Sequence, residues 1–400
     1  MKKKRARIKR TFVALLLLTA SLATVLCPAD ASAKKLEKWL EGFESGEHWF
    51  GEDFAYDITD TAACWELLQR PITVMNVGER EVVYPLAEPG GKAVNKDKLG
   101  GCIAGATAAV HVLGKDENGW TLIEGMDAYD RLIRGYVRTR LLKTVTPNEK
   151  YGIIIDKLFQ RLYLFIDGEL FSYCSISTGA PTDDEPFNET GSGEYLISSW
   201  VGSFTTGENL VCEKALRFNN GDLLHEVPYL VLADGTKRYS TYEARLGQKA
   251  SRGCIRVPRI PNADGLCQTW LWNNLKKNTK VVIWDDDGRK LPYPDEGTPL
   301  YYNPQGGQYY HADAECNGVK ERYRPLTGFT YGELEEHAYR KLGSCPFCVP
   351  VKRIGWIDEF NHKRGFTLEP DNLEAAEGIN SIGENATPHP VEIVIISPQG

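Results

Sequence analysis

Apolar positions between residues 72 and 286 come in short runs separated by turn signals, and few of them keep a helical period. Ile72-Thr-Val-Met, Glu81-Val-Val-Tyr, Ala108-Ala-Val-His-Val-Leu, Trp120-Thr-Leu-Ile and Arg134-Gly-Tyr-Val read as strands, with Glu88-Pro-Gly-Gly and Glu117-Asn-Gly as turns. A second set follows Pro147: Ile153-Ile-Ile-Asp, Arg161-Leu-Tyr-Leu-Phe-Ile, Leu170 to Ser177 and Glu194-Tyr-Leu-Ile, with Asp167-Gly168 as a hairpin turn. The spacing of Leu266, Trp270, Leu271 and Leu275 predicts a helix from Asn262, its cap, to Lys277. Lys280-Val-Val-Ile-Trp then closes as a strand. The pattern predicts a mainly β, multidomain chain with one helix packed on its second unit.

The flanks read differently. Residues 34–71 are rich in Trp and acids and give no clear element. Residues 297–352 form a short Cys/His-bearing module, with a helix predicted over Tyr331–Leu342 and His337 on its surface. From 353 to 400 large apolar residues are sparse until Val391, and the stretch reads as an acidic, partly disordered tail. At the other end, Lys2–Arg10 is basic, Phe12 to Leu26 is apolar, and Ala31-Ser-Ala33 offers a small-x-small site. That is the layout of a secretory signal peptide over residues 1–33. Its apolar stretch of about 15 residues falls short of the ~20 that span a bilayer, so the mature chain is expected without a membrane span. The expected location is outside the cell, at the cell envelope and wall.

Charge sharpens this. The 400 residues hold 47 Lys/Arg and 54 Asp/Glu, but residues 1–33 carry seven of the bases and one acid, so the remainder stands at −13. An acidic chain without a basic stripe is a poor nucleic-acid binder. Ten cysteines less Cys27 leave nine, and an odd number in an oxidising compartment leaves one thiol without a cysteine partner.

The string Lys249-Ala-Ser-Arg-Gly-Cys-Ile-Arg-Val257 is the most informative. Cys254 offers the strongest nucleophile among ordinary side chains, and Gly253 before it lets backbone N–H groups approach a reacting carbonyl. A thiol needs a base. Of seven histidines only His225 shares the 150–286 unit with Cys254, which makes it the base by elimination within that unit. Cys174, Cys212 and Cys267 are near enough in sequence to be disulfide partners instead.

Ser251-Arg252-Gly253-Cys254-Ile255-Arg256-Val257 resembles the signature of the L,D-transpeptidase (YkuD-type) catalytic domain: a His, a variable gap, then Ser/Thr-His-Gly-Cys, an apolar residue and Arg or Asn. The resemblance runs over residues 150–286 and includes Asp156, the Gln160-Arg-Leu-Tyr163 hairpin, Ser177-Thr-Gly179 and Thr190-Gly-Ser-Gly-Glu-Tyr195. It implies a β-sandwich in which Cys254 is the nucleophile and His225 the base, with the Gly253 and Cys254 N–H groups facing the oxyanion. Ser251 and Arg256 match the motif and are expected to shape or line the site. Two features depart from the family. Arg252 stands where the family has His, and its charge is expected to favour the thiolate. The gap from His225 is also longer than usual, so residues 229–247 are expected to form an extended loop or lid whose Tyr239, Tyr242 and Arg245 are candidates for substrate contact. The implied chemistry attacks a peptidoglycan stem peptide before its terminal D-Ala, forms an acyl-enzyme on Cys254, and passes the acyl group to a neighbouring amine as a 3→3 cross-link. Water as acceptor would make it an L,D-carboxypeptidase, and loss of turnover would leave a wall-peptide-binding protein. Carbapenem β-lactams are the inhibitors the family implies, and catalysis needs no cofactor. Residues 72–146 resemble a bacterial SH3-like barrel through Gly119, Trp120, Gly135-Tyr136-Val137 and Leu141, which implies docking on wall peptides.

Within 297–352, His311, Cys316, Cys345 and Cys348 make a Cys₃His set suited to a closed, structural Zn²⁺ site, with a disulfide through Cys316 as the alternative. The segment also resembles small metal-binding modules that open with Tyr-Tyr-His-x-x-x-x-Cys.

Overall fold

The computed structural model describes residues 56–96, 100–116 and 118–367. The signal-peptide reading, most of the 34–71 segment and all but the start of the 353–400 tail lie outside the described residues.

The first unit is an antiparallel five-stranded sheet in the order Leu132–Arg138, Trp120–Met126, Ala109–Lys115, Ile72–Met75, Leu142–Val145, with a small ladder of Val82–Val83 on Ile103–Ala104. Every strand expected there is present, although the Glu81 run contributes only two residues. The Asp116 carboxylate accepts the N–H groups of Asn118 and Trp120 and so shapes the turn before Trp120–Met126.

The second unit stacks two sheets. One runs Glu169–Ser175, Arg161–Ile166, Tyr151–Asp156, Lys280–Trp284, Gly193–Leu196; the other runs Ser199–Thr205, Val211–Arg217, Leu223–Glu226, Ile255–Val257. Their facing sides supply one core, with Ile153, Ile155, Leu162, Leu164 and Ile283 from the first sheet and Leu216, Leu224, Ile255 and Val257 from the second. The strands Tyr151–Asp156 and Lys280–Trp284 are buried on both faces, which is why they read as unbroken apolar runs rather than alternating ones. The helix Thr61–Gln69 covers the outer face, seating Cys64 and Leu68 against Ile154, Phe165, Val282 and Trp284.

Three expectations change. The helix predicted over Asn262–Lys277 is only Gln268–Asn274. Asn262 does not cap it; its Oδ1 accepts from the N–H groups of Asp264 (3.1 Å) and Leu266 (2.9 Å), which closes a turn ahead of the helix. The helix predicted over Tyr331–Leu342 is a single turn, Tyr331–Glu333. Tyr339 stacks on Phe329 at 4.1 Å between ring centres and draws the chain back over its sheet, leaving His337 exposed in a turn. Finally, the tail begins with an ordered helix, Ile354–Lys363, that buries Ile357, Asp358 and Asn361. Asn361 exchanges hydrogen bonds with both backbone groups of Leu291, at 2.8 and 2.9 Å.

The units meet at a buried lysine. Lys157 Nζ lies 2.6 Å from Asp130 of the first unit, 3.0 Å from Glu189 and 3.1 Å from Asp285. Arg364, just past the last helix, reaches Asp286 of the same cluster at 3.1 Å. Among the described residues no helix is long and apolar enough to cross a membrane.

Candidate active site

The strand Ile255–Val257 pairs in parallel with Leu223–Glu226, with Leu224 opposite Ile255 and His225 opposite Arg256. Leu224 and Ile255 are fully buried in the inter-sheet core. Strand side chains alternate, so Arg256 and His225 share the opposite face, and Cys254 directly precedes the strand Ile255–Val257. Phe204 meets the His225 ring edge to face, centroids 5.7 Å apart. All nine cysteines of the described residues, Cys254 among them, are free thiols.

Hydrogen bonds fix the turn into this strand from three sides. Arg256 exchanges backbone bonds with Ser177 (2.9 and 3.0 Å), and the Ser251 N–H donates to the Thr178 carbonyl at 2.9 Å. The Ser251 hydroxyl donates to the Cys254 carbonyl. The Thr190 hydroxyl donates to the Gly253 carbonyl at 2.7 Å and accepts the Gly179 N–H at 2.8 Å. Gln160, held left-handed at φ 50°, bonds both the hydroxyl (2.7 Å) and the N–H (2.9 Å) of Thr178. With both carbonyls engaged, the peptide planes of Gly253 and Cys254 are set. Gly253 has φ +104°, a conformation other residues rarely adopt.

Burial dominates the electrostatics. It pushes the Cys254 thiol up to about 12, helped by the Asp222 carboxylate and opposed by the Leu223 N–H and by Arg256. It also pulls His225 down to about 4, with Arg256 acting the same way and the Glu226 carbonyl opposing. The His225 Nδ1 lies 2.7 Å from that carbonyl, which can only accept, so the proton sits on Nδ1 and Nε2 keeps the lone pair. The resting pair is therefore a neutral thiol and a neutral imidazole. Asp222 itself is raised to about 7 by burial, with the Asn219 amide opposing.

The remaining candidates separate. Arg256 is buried, its Nη1 has no hydrogen-bond partner among the described residues, and Tyr242 lies under its guanidinium at 5.3 Å. Tyr239 instead packs on Tyr229 and Arg259, away from that contact. The expected lid is a hairpin of Leu230–Val231 on Lys237–Arg238 followed by the helical turn Ser240–Glu243; Arg245 contributes its carbonyl, facing the Ser177 hydroxyl at 3.3 Å. Arg252, whose charge was expected to favour the thiolate, is exposed and pairs with Glu208 at 2.7 Å. In the C-terminal module, the ligand atoms of His311, Cys316, Cys345 and Cys348 lie within 4.8 Å of one another.

Sequence reasoning passed over Asp222 and the roles of Thr190 and Gln160. The last two stand in the quoted motif stretches, where a threonine before Gly-Ser-Gly was a usable signal. Nothing local marks Asp222.

Residues 150–283 match the model of the YkuD family, the L,D-transpeptidase catalytic domain. This stretch is a YkuD-type L,D-transpeptidase domain. Among solved structures, an L,D-transpeptidase (Yku) from Stackebrandtia nassauensis is 19% identical, with 35% of this chain and 58% of that chain covered and a TM-score of 0.25. The catalytic domain of the Enterococcus faecium L,D-transpeptidase is 17% identical over 34% of this chain and 98% of that one, with a TM-score of 0.24. An L,D-transpeptidase from Mycobacterium tuberculosis is 15% identical over 45% and 77%, with a TM-score of 0.27. This chain thus spans under two thirds of the Stackebrandtia protein. No curated protein matches the chain.

Proposed function

We propose that the chain is an exported peptidoglycan L,D-transpeptidase that forms 3→3 cross-links through an acyl-enzyme on Cys254. One observation supports the reading: Cys254 directly precedes the strand Ile255–Val257, which pairs in parallel with the strand that carries His225, and it follows a glycine held at φ +104°. His225 Nε2 takes the thiol proton as sulfur attacks the carbonyl carbon of the stem's third residue. A thiol raised to about 12 and an imidazole lowered to about 4 fit this concerted transfer better than a resting ion pair. Negative charge then develops on the substrate oxygen, opposite the N–H groups of the Gly253–Cys254 turn. Collapse returns the proton through His225 to the departing D-Ala amine. The side-chain amine of a second stem attacks the thioester, its proton passes to His225, and the thiol is regenerated. The unpaired buried Nη1 of Arg256 fits a carboxylate of the stem, since a buried guanidinium gains most from an anionic partner. Residues 72–146 would dock the enzyme on wall peptides, and residues 1–33 would export it.

The test is the mass of the purified chain with and without a carbapenem, then digestion of treated cell wall. The reading expects the adduct on Cys254, its absence in Cys254→Ser, and 3→3 dimers among the products. An adduct on another cysteine overturns the nucleophile assignment. Tripeptides without dimers would make water the acceptor.

A further inference from the structure

The C-terminal module brings His311, Cys316, Cys345 and Cys348 together from two loops. Tyr309–His311 and Gly343–Ser344 are neighbouring parallel strands, and each runs straight into a ligand-bearing loop. The Cys345 N–H donates to the Tyr310 carbonyl at 3.0 Å, which aligns the loops, and the Val349 N–H closes the Cys345–Cys348 turn on the Cys345 carbonyl at 3.0 Å. Two more backbone N–H groups aim at sulfur: Phe347 at Cys345 (3.4 Å) and Ala312 at Cys348 (3.3 Å). Donors placed in this way stabilise thiolates rather than buried thiols.

The spacing tells a metal site from a disulfide. A tetrahedral ion with Zn–S bonds of about 2.3 Å has sulfur–sulfur edges of about 3.8 Å, and edges to nitrogen slightly shorter. Cys316 Sγ to Cys345 Sγ is 3.9 Å and Cys348 Sγ to His311 Nδ1 is 3.7 Å. A disulfide would need sulfurs near 2.05 Å and would orphan the other two groups. Three sulfurs and one imidazole nitrogen suit Zn²⁺, and four protein ligands leave no open position for catalysis. The module also has little else to hold it, because its core is built around five buried side chains, Leu300, Tyr310, Phe329, Tyr331 and Leu334.

The residues beside the ligands hold the module to the catalytic domain. Asn317, next to Cys316, donates through Nδ2 to the Pro261 carbonyl at 2.8 Å. Val349, next to Cys348, is left-handed at φ 38°, and its carbonyl accepts from Arg161 of the catalytic sheet at 3.0 Å. Its side chain lies so close to Gly247, the last residue of the 229–247 segment, that a Cβ there would stand 2.8 Å from it. The Gly247 N–H in turn donates to the Ile176 carbonyl at 2.8 Å.

We propose that His311, Cys316, Cys345 and Cys348 bind one structural Zn²⁺, and that the ion holds the two loops that dock the C-terminal module at Pro261, at Arg161 and at the base of the 229–247 segment. It follows that the metal stiffens that segment without touching the reacting atoms. The site is independent of the transpeptidase reading, and its test needs no turnover. The full mature chain, purified without chelator, should contain one equivalent of zinc by elemental analysis. Replacement by Co²⁺ should give the intense visible bands and near-ultraviolet sulfur charge transfer of a tetrahedral thiolate site. Cys345→Ser should lose both signals. Because that variant could unfold, a strong chelator added to the wild-type chain provides the second arm. It should raise hydrogen exchange within 229–247 and around Asn317 and Val349, and added Zn²⁺ should reverse the rise. A metal-free chain with these thiols missing by titration overturns the site in favour of a disulfide. Bound zinc whose removal leaves exchange at 229–247 unchanged overturns the docking role.

Discussion

Gly253 turns its bare Cα toward the Asp222 carboxylate: a Cβ at this position would stand 2.3 Å from Oδ1, on a backbone at φ +104°. Two separate costs therefore oppose any side chain in front of Cys254. Gly253→Ala is expected to lose about 1–3 kcal/mol of stability from backbone strain alone, and to slow acylation of Cys254 by roughly 100-fold as the turn moves its N–H groups. Adding Asp222→Ala removes the clash and leaves the φ cost, so the double variant should recover part of the lost melting temperature. If the single variant acylates at the wild-type rate, the Gly253 conformation has no part in the reaction.

Thr190 holds the same turn from the other side, its hydroxyl bridging the Gly179 N–H and the Gly253 carbonyl. Thr190→Val keeps the volume and removes both bonds, leaving two buried backbone groups unsatisfied, at about 1–3 kcal/mol each. Carbapenem acylation should fall at least tenfold while the circular dichroism spectrum is unchanged. Thr190→Ser restores the hydroxyl and should restore most of the rate, a rescue that a purely steric role would not give.

The catalytic domain was readable because its information is contiguous. The inner strands are apolar runs, and the Cys254 motif occupies seven successive residues, Ser251 to Val257. His225 needed only the count of histidines in one unit. What escaped depends on contacts across the fold. The helix Thr61–Gln69 has two buried residues, Cys64 and Leu68, which carry little period without the sheet they cover. The helix Ile354–Lys363 buries Asp358 and Asn361, which look like surface residues until Tyr293 and Leu291 are placed against them. Arg252 was read as a neighbour of the thiol because it is two residues from it in sequence; the turn sends its side chain outward to Glu208. Asp222 acts on Cys254 from a distant place in the sequence: each directly precedes one of two strands, Leu223–Glu226 and Ile255–Val257, that pair in parallel.

The pH dependence separates His225 from Asp222, because their shifts have opposite signs. His225 is lowered to about 4 in the fold, against 6.5 as a free side chain. Between those values the unfolded chain binds the extra proton. The contribution of a neutral buried imidazole is therefore complete above about 6.5 and is lost as pH falls through about 4. Asp222 is raised to about 7 from 3.8. Here the folded chain binds the extra proton, so its contribution is complete below 3.8 and is lost as pH rises through about 7. In the wild type the two trends offset each other from about pH 4 to about 7. Asp222→Asn should make the melting temperature climb more steeply with pH across that window, and His225→Gln should tilt it the other way. The acylation rate gives an independent reading. With His225 as base its acid limb should lie near pH 4, well below the limb of an ordinary histidine, and His225→Gln should lower the plateau by about 10²–10⁴. An acid limb close to 6.5 in the wild type would mean that a solvent-exposed group, and not this buried imidazole, takes the proton from Cys254.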